Sequence, residues 1–149
     1  MNLIQVLSEV YPTLLQGLGM TIEITVLSLL IAMVLGIFVC LMNISNNVVL
    51  RGIAKFYIWL IRGTPMLVQA FYFYFAMPQL IQSVTGSQFR ITVFTASLVT
   101  LTLNAGAYIS EIFRGSIESV NKGQMEAARS LGLSYAKSMP VSYTHLTLP

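Results

Sequence analysis

The stretch Ile24-Thr25-Val26-Leu27-Ser28-Leu29-Leu30-Ile31-Ala32-Met33-Val34-Leu35-Gly36-Ile37-Phe38-Val39-Cys40-Leu41-Met42 decides the fold class. It holds nineteen residues with no charge and no proline. Wound as a helix it covers about 28 Å, close to the ~30 Å hydrocarbon core of a bilayer. The charge-free run continues to Leu50. A cleaved secretory signal is a poor alternative. No basic residue precedes the run, and Gly36-Ile37-Phe38-Val39-Cys40 has neither a small-x-small nor a lipoprotein-like cleavage pattern.

The rest of the chain agrees with this reading. Its 149 residues are 56% hydrophobic and 9% charged, with a mean hydropathy of +0.77. Soluble domains carry about 25% charged residues, so a soluble globular monomer is disfavoured. Disorder is excluded too, because disordered chains are poor in apolar residues and rich in charge. There are five Glu, eight Lys or Arg and no Asp, giving a net charge of +3. In so apolar a chain that balance points to lipid-facing loops rather than to nucleic acid. The single cysteine, Cys40, cannot close an internal disulfide, so no oxidising compartment is implied. The length leaves room for three or four spans.

Two further charge-free runs place the other spans. Residues 63–89 and 91–110 lack charge. With the apolar lead-in from Phe56, the spans are expected at about 20–42, 56–80 and 91–112. Between them lie a polar, turn-rich loop over 43–55 and a short polar loop over 81–90. Residues 111–137 hold seven charges and read as a soluble amphipathic segment. The expected fold is an all-α integral membrane protein, with no internal repeat and no low-complexity tract.

Basic residues set the orientation. Arg51 and Lys55 lie in the first loop, and Arg114, Lys122, Arg129 and Lys137 in the last segment. Only Arg90 lies in the loop between the second and third spans. The N-terminus is therefore expected outside and the charged segment in the cytoplasm. An aromatic belt accounts for Tyr57 and Trp59 near the inner boundary and for Tyr72, Phe73, Tyr74 and Phe75 near the outer one.

Three places depart from plain lipid-solvated helix. The first is Arg62-Gly63-Thr64-Pro65. Arg62 lies about 10 Å along a helix axis beyond Lys55, and an arginine at that depth is costly unless it snorkels or is paired. Pro65 removes a backbone donor and clashes with the carbonyl of Ile61. Two readings stay open: an interfacial arginine beside a proline kink, or a helix broken at a protein-buried site as in transporters. The second is Asn104, Tyr108 and Glu111, which share one helical face beside the small residues Ala105, Gly106 and Ala107. Helix packing through one polar bond and a polar stripe lining a route through the bundle both fit. An intrahelical pair of Glu111 with Arg114 fits as well.

The third is Lys122-Gly123-Gln124-Met125-Glu126-Ala127-Ala128-Arg129-Ser130-Leu131-Gly132-Leu133. Strong helix formers over 124–131 end at Gly132, a favourable residue just past a helix. A helix of about two turns is not stable alone in water, so it must pack on its own chain or dock on a partner.

Glu126-Ala127-Ala128 followed by Gly132 resembles the cytoplasmic motif of permease subunits in bacterial ATP-binding-cassette importers. Four further stretches strengthen the likeness: Thr21-Ile22-Glu23-Ile24-Thr25, Trp59-Leu60-Ile61-Arg62-Gly63-Thr64-Pro65-Met66-Leu67-Val68-Gln69, Tyr108-Ile109-Ser110-Glu111-Ile112-Phe113-Arg114-Gly115 and Val120-Asn121-Lys122-Gly123-Gln124. Together they resemble the polar amino-acid branch, which imports histidine, glutamine, arginine or related amino acids. The resemblance implies three transmembrane helices plus a short cytoplasmic coupling helix, a fragment of the five-span type I importer fold over residues 1–138. It implies two permease subunits forming the pathway, two ATPase subunits beneath, and an external solute-binding protein, in a bacterial inner membrane. Gly123, Glu126, Ala127, Ala128 and Gly132 would form the ATPase-coupling segment within about 114–137.

No chemistry is expected in this chain. It has no phosphate-binding glycine loop, and His145 alone cannot supply a metal or nucleophilic site. ATP would be bound by the partner ATPase, leaving this chain without a cofactor. Asn104, Tyr108 and Glu111 are the candidates for the pathway. A non-transporting membrane scaffold is the competing class; an intramembrane enzyme would need more polar groups than Glu111 and Asn104. Residues 139–149 lack helix periodicity and depart from the family pattern, resembling artefactual translation at the ends of gene fragments. They are expected to be foreign to the authentic protein.

Overall fold

The computed structural model describes residues 3–119, 122–134 and 138. Every regular element among them is helical: α1 (Leu3–Asn43), α2 (Val48–Gly63), α3 (Met66–Phe71), a π-helical turn (Tyr72–Ala76), α4 (Met77–Thr85), α5 (Val93–Glu118) and α6 (Lys122–Ser130). The segment Val10–Asn43 of α1 and the whole of α5 are long and apolar enough to cross a membrane.

Beyond Glu23, α1 carries no charge on any side, as a membrane span does. Leu30, Val34, Phe38 and Leu41 stay exposed on one face while Ala32, Val39 and Cys40 are buried. It ends at a four-residue turn, in which the Ile44 amide bonds the Cys40 carbonyl at 3.0 Å. Asn47 then caps α2, its side chain accepting from the Val49 amide at 2.9 Å. The expected 43–55 loop is thus mostly helix. Arg51 and Lys55 are exposed on α2, whereas Ala54, Ile58 and Ile61 are buried.

The expected second span over 56–80 is not one helix. It is divided at Thr64 and again at the π-helical turn. Pro65 forces the first division: its predecessor Thr64 is extended at φ −118°, ψ 142°, as steric clash with a following proline requires. Pro78 accounts for the second. It offers no N–H to Tyr74, and the amide of Met77, the residue before it, bonds Tyr72, five residues back.

Helix α5 starts at Thr92, whose hydroxyl accepts from the Thr95 amide at 3.2 Å. It packs chiefly on α1, where two glycines permit close approach. A Cβ on Gly36 would lie 2.7 Å from Ile109 Cγ2, and one on Gly106 would lie 2.9 Å from Leu35 Cδ2. Leu35, Met42 and Tyr57 complete a small core around Val39, Ala54 and Ile58. Tyr57 and Gln69 are far apart along the chain, yet they bond consecutive residues of α5, Leu103 and Asn104. The chain before and after the break therefore meets the same turn of α5.

The expected third span over 91–112 corresponds to α5, which runs on to Glu118. The charged segment is thus helical through its first turns and resumes as α6. Residues 139–149, expected to be foreign, lie outside the described residues.

Candidate functional site

Glu111 gathers three helices at one carboxylate. Arg114, one turn on, grips it side-on, with Nε on Oε1 and Nη2 on Oε2, both at 3.0 Å. Such a two-pronged guanidinium–carboxylate contact is strong and directional. Asn43, at the end of α1, donates from Nδ2 to Oε1 at 3.2 Å. Arg62, in the last turn of α2, places Nη1 3.5 Å from Oε2. Arg114 reaches on to Glu118 as well. Two carboxylates and two guanidinium groups leave the cluster neutral, which limits the cost of its partial burial.

Arg62 also lies over Tyr108, its Cζ 5.1 Å from the ring centroid. That geometry suits a cation–π contact, which orients the planar guanidinium. The interfacial reading of Arg62 is therefore incomplete: it is engaged by α5 through both Glu111 and Tyr108.

The break beside it is sealed by a residue with no assigned role in the sequence reading. Pro65 has no N–H, so the Ile61 carbonyl loses its helical donor. Gln69, one turn into α3, turns its amide back and supplies one. Its Nε2 lies 2.7 Å from the Ile61 carbonyl, 3.1 Å from the Thr64 carbonyl and 2.8 Å from the Thr64 hydroxyl. Thr64 Oγ1 in turn donates to the Leu60 carbonyl at 2.9 Å. Gln69 is 6% exposed, and its Oε1 accepts from Asn104 Nδ2 at 3.3 Å. A lone amide one turn after a proline, in a run otherwise apolar or aromatic, was the available signal.

Thus Asn104, Tyr108 and Glu111 all face the α2–α3 break. Asn104 meets Gln69, and Tyr108 and Glu111 meet Arg62. Gly63 ends α2, and nothing lies within 4 Å of a Cβ built on it.

The third candidate region is α6. Its end is a Schellman arrangement: the Gly132 amide bonds the Arg129 carbonyl at 2.9 Å and the Leu133 amide bonds the Ala128 carbonyl at 3.3 Å. Gly132 adopts φ +84°, a conformation that strains any other residue. Ala128 is buried, whereas Gly123 and Glu126 are exposed. Ala127 lies in the same helix. An open groove of about 300 Å³ lies elsewhere, beside α4, lined by Tyr74, Phe75, Pro78, Gln79, Phe89 and Arg90 among others.

Residues 28–139 match the model of the family described as binding-protein-dependent transport system inner membrane component. This chain belongs to that family. Among relatives of this inner membrane component, it is 43% identical over 128 residues to the arginine transport system permease protein ArtQ of Bacillus subtilis. That match covers 86% of this chain and 56% of ArtQ. It is 40% identical over 123 residues to the glutamine transport system permease protein GlnP of Escherichia coli, covering 83% of this chain and 54% of GlnP. Among solved structures, one described as an amino acid ABC transporter with histidines superposes with a TM-score of 0.79 at 36% identity. It covers 93% of this chain and 61% of that one. The chain spans little more than half the length of these curated relatives. The family's inner-membrane setting fits the two membrane-capable helices.

Proposed function

We propose that this chain is part of the permease subunit of an ATP-driven importer of polar amino acids. The observation that carries the reading is the family match over residues 28–139, joined to permease relatives named for arginine and glutamine transport. Three spans, the middle one broken at Thr64–Pro65, would contribute to a pathway shared with a second permease subunit. The N-terminus lies outside and α6 faces the cytoplasm, as the distribution of basic residues favours. A solute-binding protein delivers the amino acid from outside, and the ATPase subunits hold the ATP.

In this reading α6 is the coupling helix. The Schellman end supports it by making a two-turn helix rigid and returning the chain towards the membrane. Exposed Glu126 is free to accept a charge-assisted bond from the ATPase, while Ala128 is covered by this chain itself. Closure of the ATPase pair on ATP would then push on α6 and switch the pathway. Tyr108 and Glu111 line the part of that pathway beside the break, while Asn104 on the same face holds Gln69.

The test is transport. The whole permease carrying this sequence is reconstituted in vesicles with its ATPase and solute-binding protein. ATP-dependent accumulation of labelled amino acids, arginine and glutamine first, is the expected result. Correct membrane insertion and assembly without accumulation of any amino acid would identify a non-transporting scaffold instead.

A further inference from the structure

We propose that Gln69 is a positioning residue, and that its bond to Asn104 is the joint through which movement of α6 reaches the break at Pro65. The inference rests on the transporter reading above.

Two ties to α5 lie nearest the break, one on each side of it. Before the break, Arg62 of α2 meets Glu111 at 3.5 Å. After it, Gln69 of α3 accepts from Asn104 at 3.3 Å. Gln69 spends its own N–H groups on the α2 side, bonding the Ile61 carbonyl and both oxygens of Thr64. One buried amide therefore joins the end of α2, the start of α3 and the middle of α5. Nothing else on α3 is buried.

Helix α5 is unbroken from Val93 to Glu118, and only residues 119–121 separate it from α6. A push on α6 is delivered to that helix end, and a continuous hydrogen-bonded helix carries it along its axis. It arrives at two points flanking Thr64–Pro65, the one place in the α2–α3 pair where the helical ladder is interrupted. Extended residues at an element end are the kind that absorb backbone rotation in hinges. The flexible amide of Gln69 has three acceptors within reach, so it can keep the Ile61 carbonyl satisfied as the bend changes. Without that substitute donor, each change of angle would strand a carbonyl in an apolar bundle.

The experiment measures solute uptake and ATP hydrolysis together in vesicles holding the assembled transporter with its solute-binding protein. Gln69→Leu removes both the joint and the carbonyl's donor, and its folding is at risk. Asn104→Ala is therefore the deciding variant, since it removes the 3.3 Å bond and leaves the Gln69 bonds across the break in place. Asn104→Ala is expected to insert and hydrolyse ATP as the parent does. Its uptake per ATP should fall about tenfold, within the usual span of coupling between sites, with the half-saturating solute concentration unchanged. A raised half-saturating concentration with an unchanged uptake-to-ATP ratio would mark Asn104 as a solute contact and overturn the proposal. So would uptake and hydrolysis falling together with the amount of folded protein. Absence of uptake by the parent transporter would overturn the transporter reading itself, and this inference with it.

Discussion

Arg62 and Glu111 approach to 3.5 Å across the join between α2 and α5, but the two residues depend on each other unequally. Arg62 has this one ionic contact and the face of Tyr108. Glu111 has Asn43, Arg62 and a side-on Arg114. Arg62→Ala is therefore expected to cost about 1 kcal/mol or less, as half-exposed ion pairs do. Glu111→Ala should cost more, roughly 1–3 kcal/mol, because it takes the acceptor from Asn43 and the side-on partner from Arg114 at once, leaving Arg114 with Glu118. Thermal unfolding of the purified permease in detergent, read as a double-mutant cycle, gives both numbers. Equal costs for the two variants would contradict the assignment of Glu111 as the hub.

The α1–α5 contact rests on two glycines. A methyl group at Gly36 would stand 2.7 Å from Ile109 Cγ2 and 3.3 Å from the Gly106 carbonyl oxygen. Gly36→Ala is expected to destabilise by about 1–3 kcal/mol through overpacking. Gly52, inside α2, has nothing within 4 Å of a built Cβ. Gly52→Ala should be neutral or stabilising, by up to about 1 kcal/mol from helix propensity. Unfolding midpoints of the two variants test the contrast, and a Gly36→Ala variant as stable as Gly52→Ala would show that the helices do not pack as described.

How far the sequence revealed this architecture depends on what each element needed. Helix α1 was legible because uniform apolarity over a span-length run has one interpretation in a bilayer. The start of α2 was not. Arg51 and Lys55 read as loop residues in a charge-based segmentation, whereas on the helix they are exposed beside the buried stripe of Ala54, Ile58 and Ile61. The first interruption of the middle segment was visible in Gly63-Thr64-Pro65. The second, before Pro78, was hidden by a run of aromatics that look like an interfacial belt. The polar stripe on α5 was found by helical spacing, since that depends on one element alone. Its partners were not found, because pairing Asn104 with Gln69 requires knowing that α3 comes back onto α5. Gln69 acts through a donor that Pro65 lacks, and only the backbone path shows that.

Gly132 carries a separate prediction. At φ +84° a side chain costs about 1–2 kcal/mol for most residues. Gly132→Val should therefore unwind the last turn of α6 and speed hydrogen exchange at the Leu133 amide, which bonds the Ala128 carbonyl. If α6 is the coupling helix, uptake falls with it. Unchanged exchange at that amide would show that the end of α6 does not depend on the glycine.

Pro65→Ala restores the missing amide and lets the Ile61 carbonyl take its ordinary helical donor. The variant is expected to join α2 to α3, shown by a lengthened spin-label distance between Leu60 and Phe71. It should insert normally yet transport poorly. Full transport with a joined helix would remove the break from the mechanism.

The most direct test of the central claim is Glu126→Lys, assayed for solute uptake and for ATP hydrolysis stimulated by the solute-binding protein. Glu126 is exposed on α6, so reversing its charge spares the fold of the membrane segment. Seating α6 on an ATPase through this carboxylate predicts that uptake and stimulated hydrolysis are both abolished while membrane insertion is intact. Uptake equal to that of the parent would contradict the coupling role of α6.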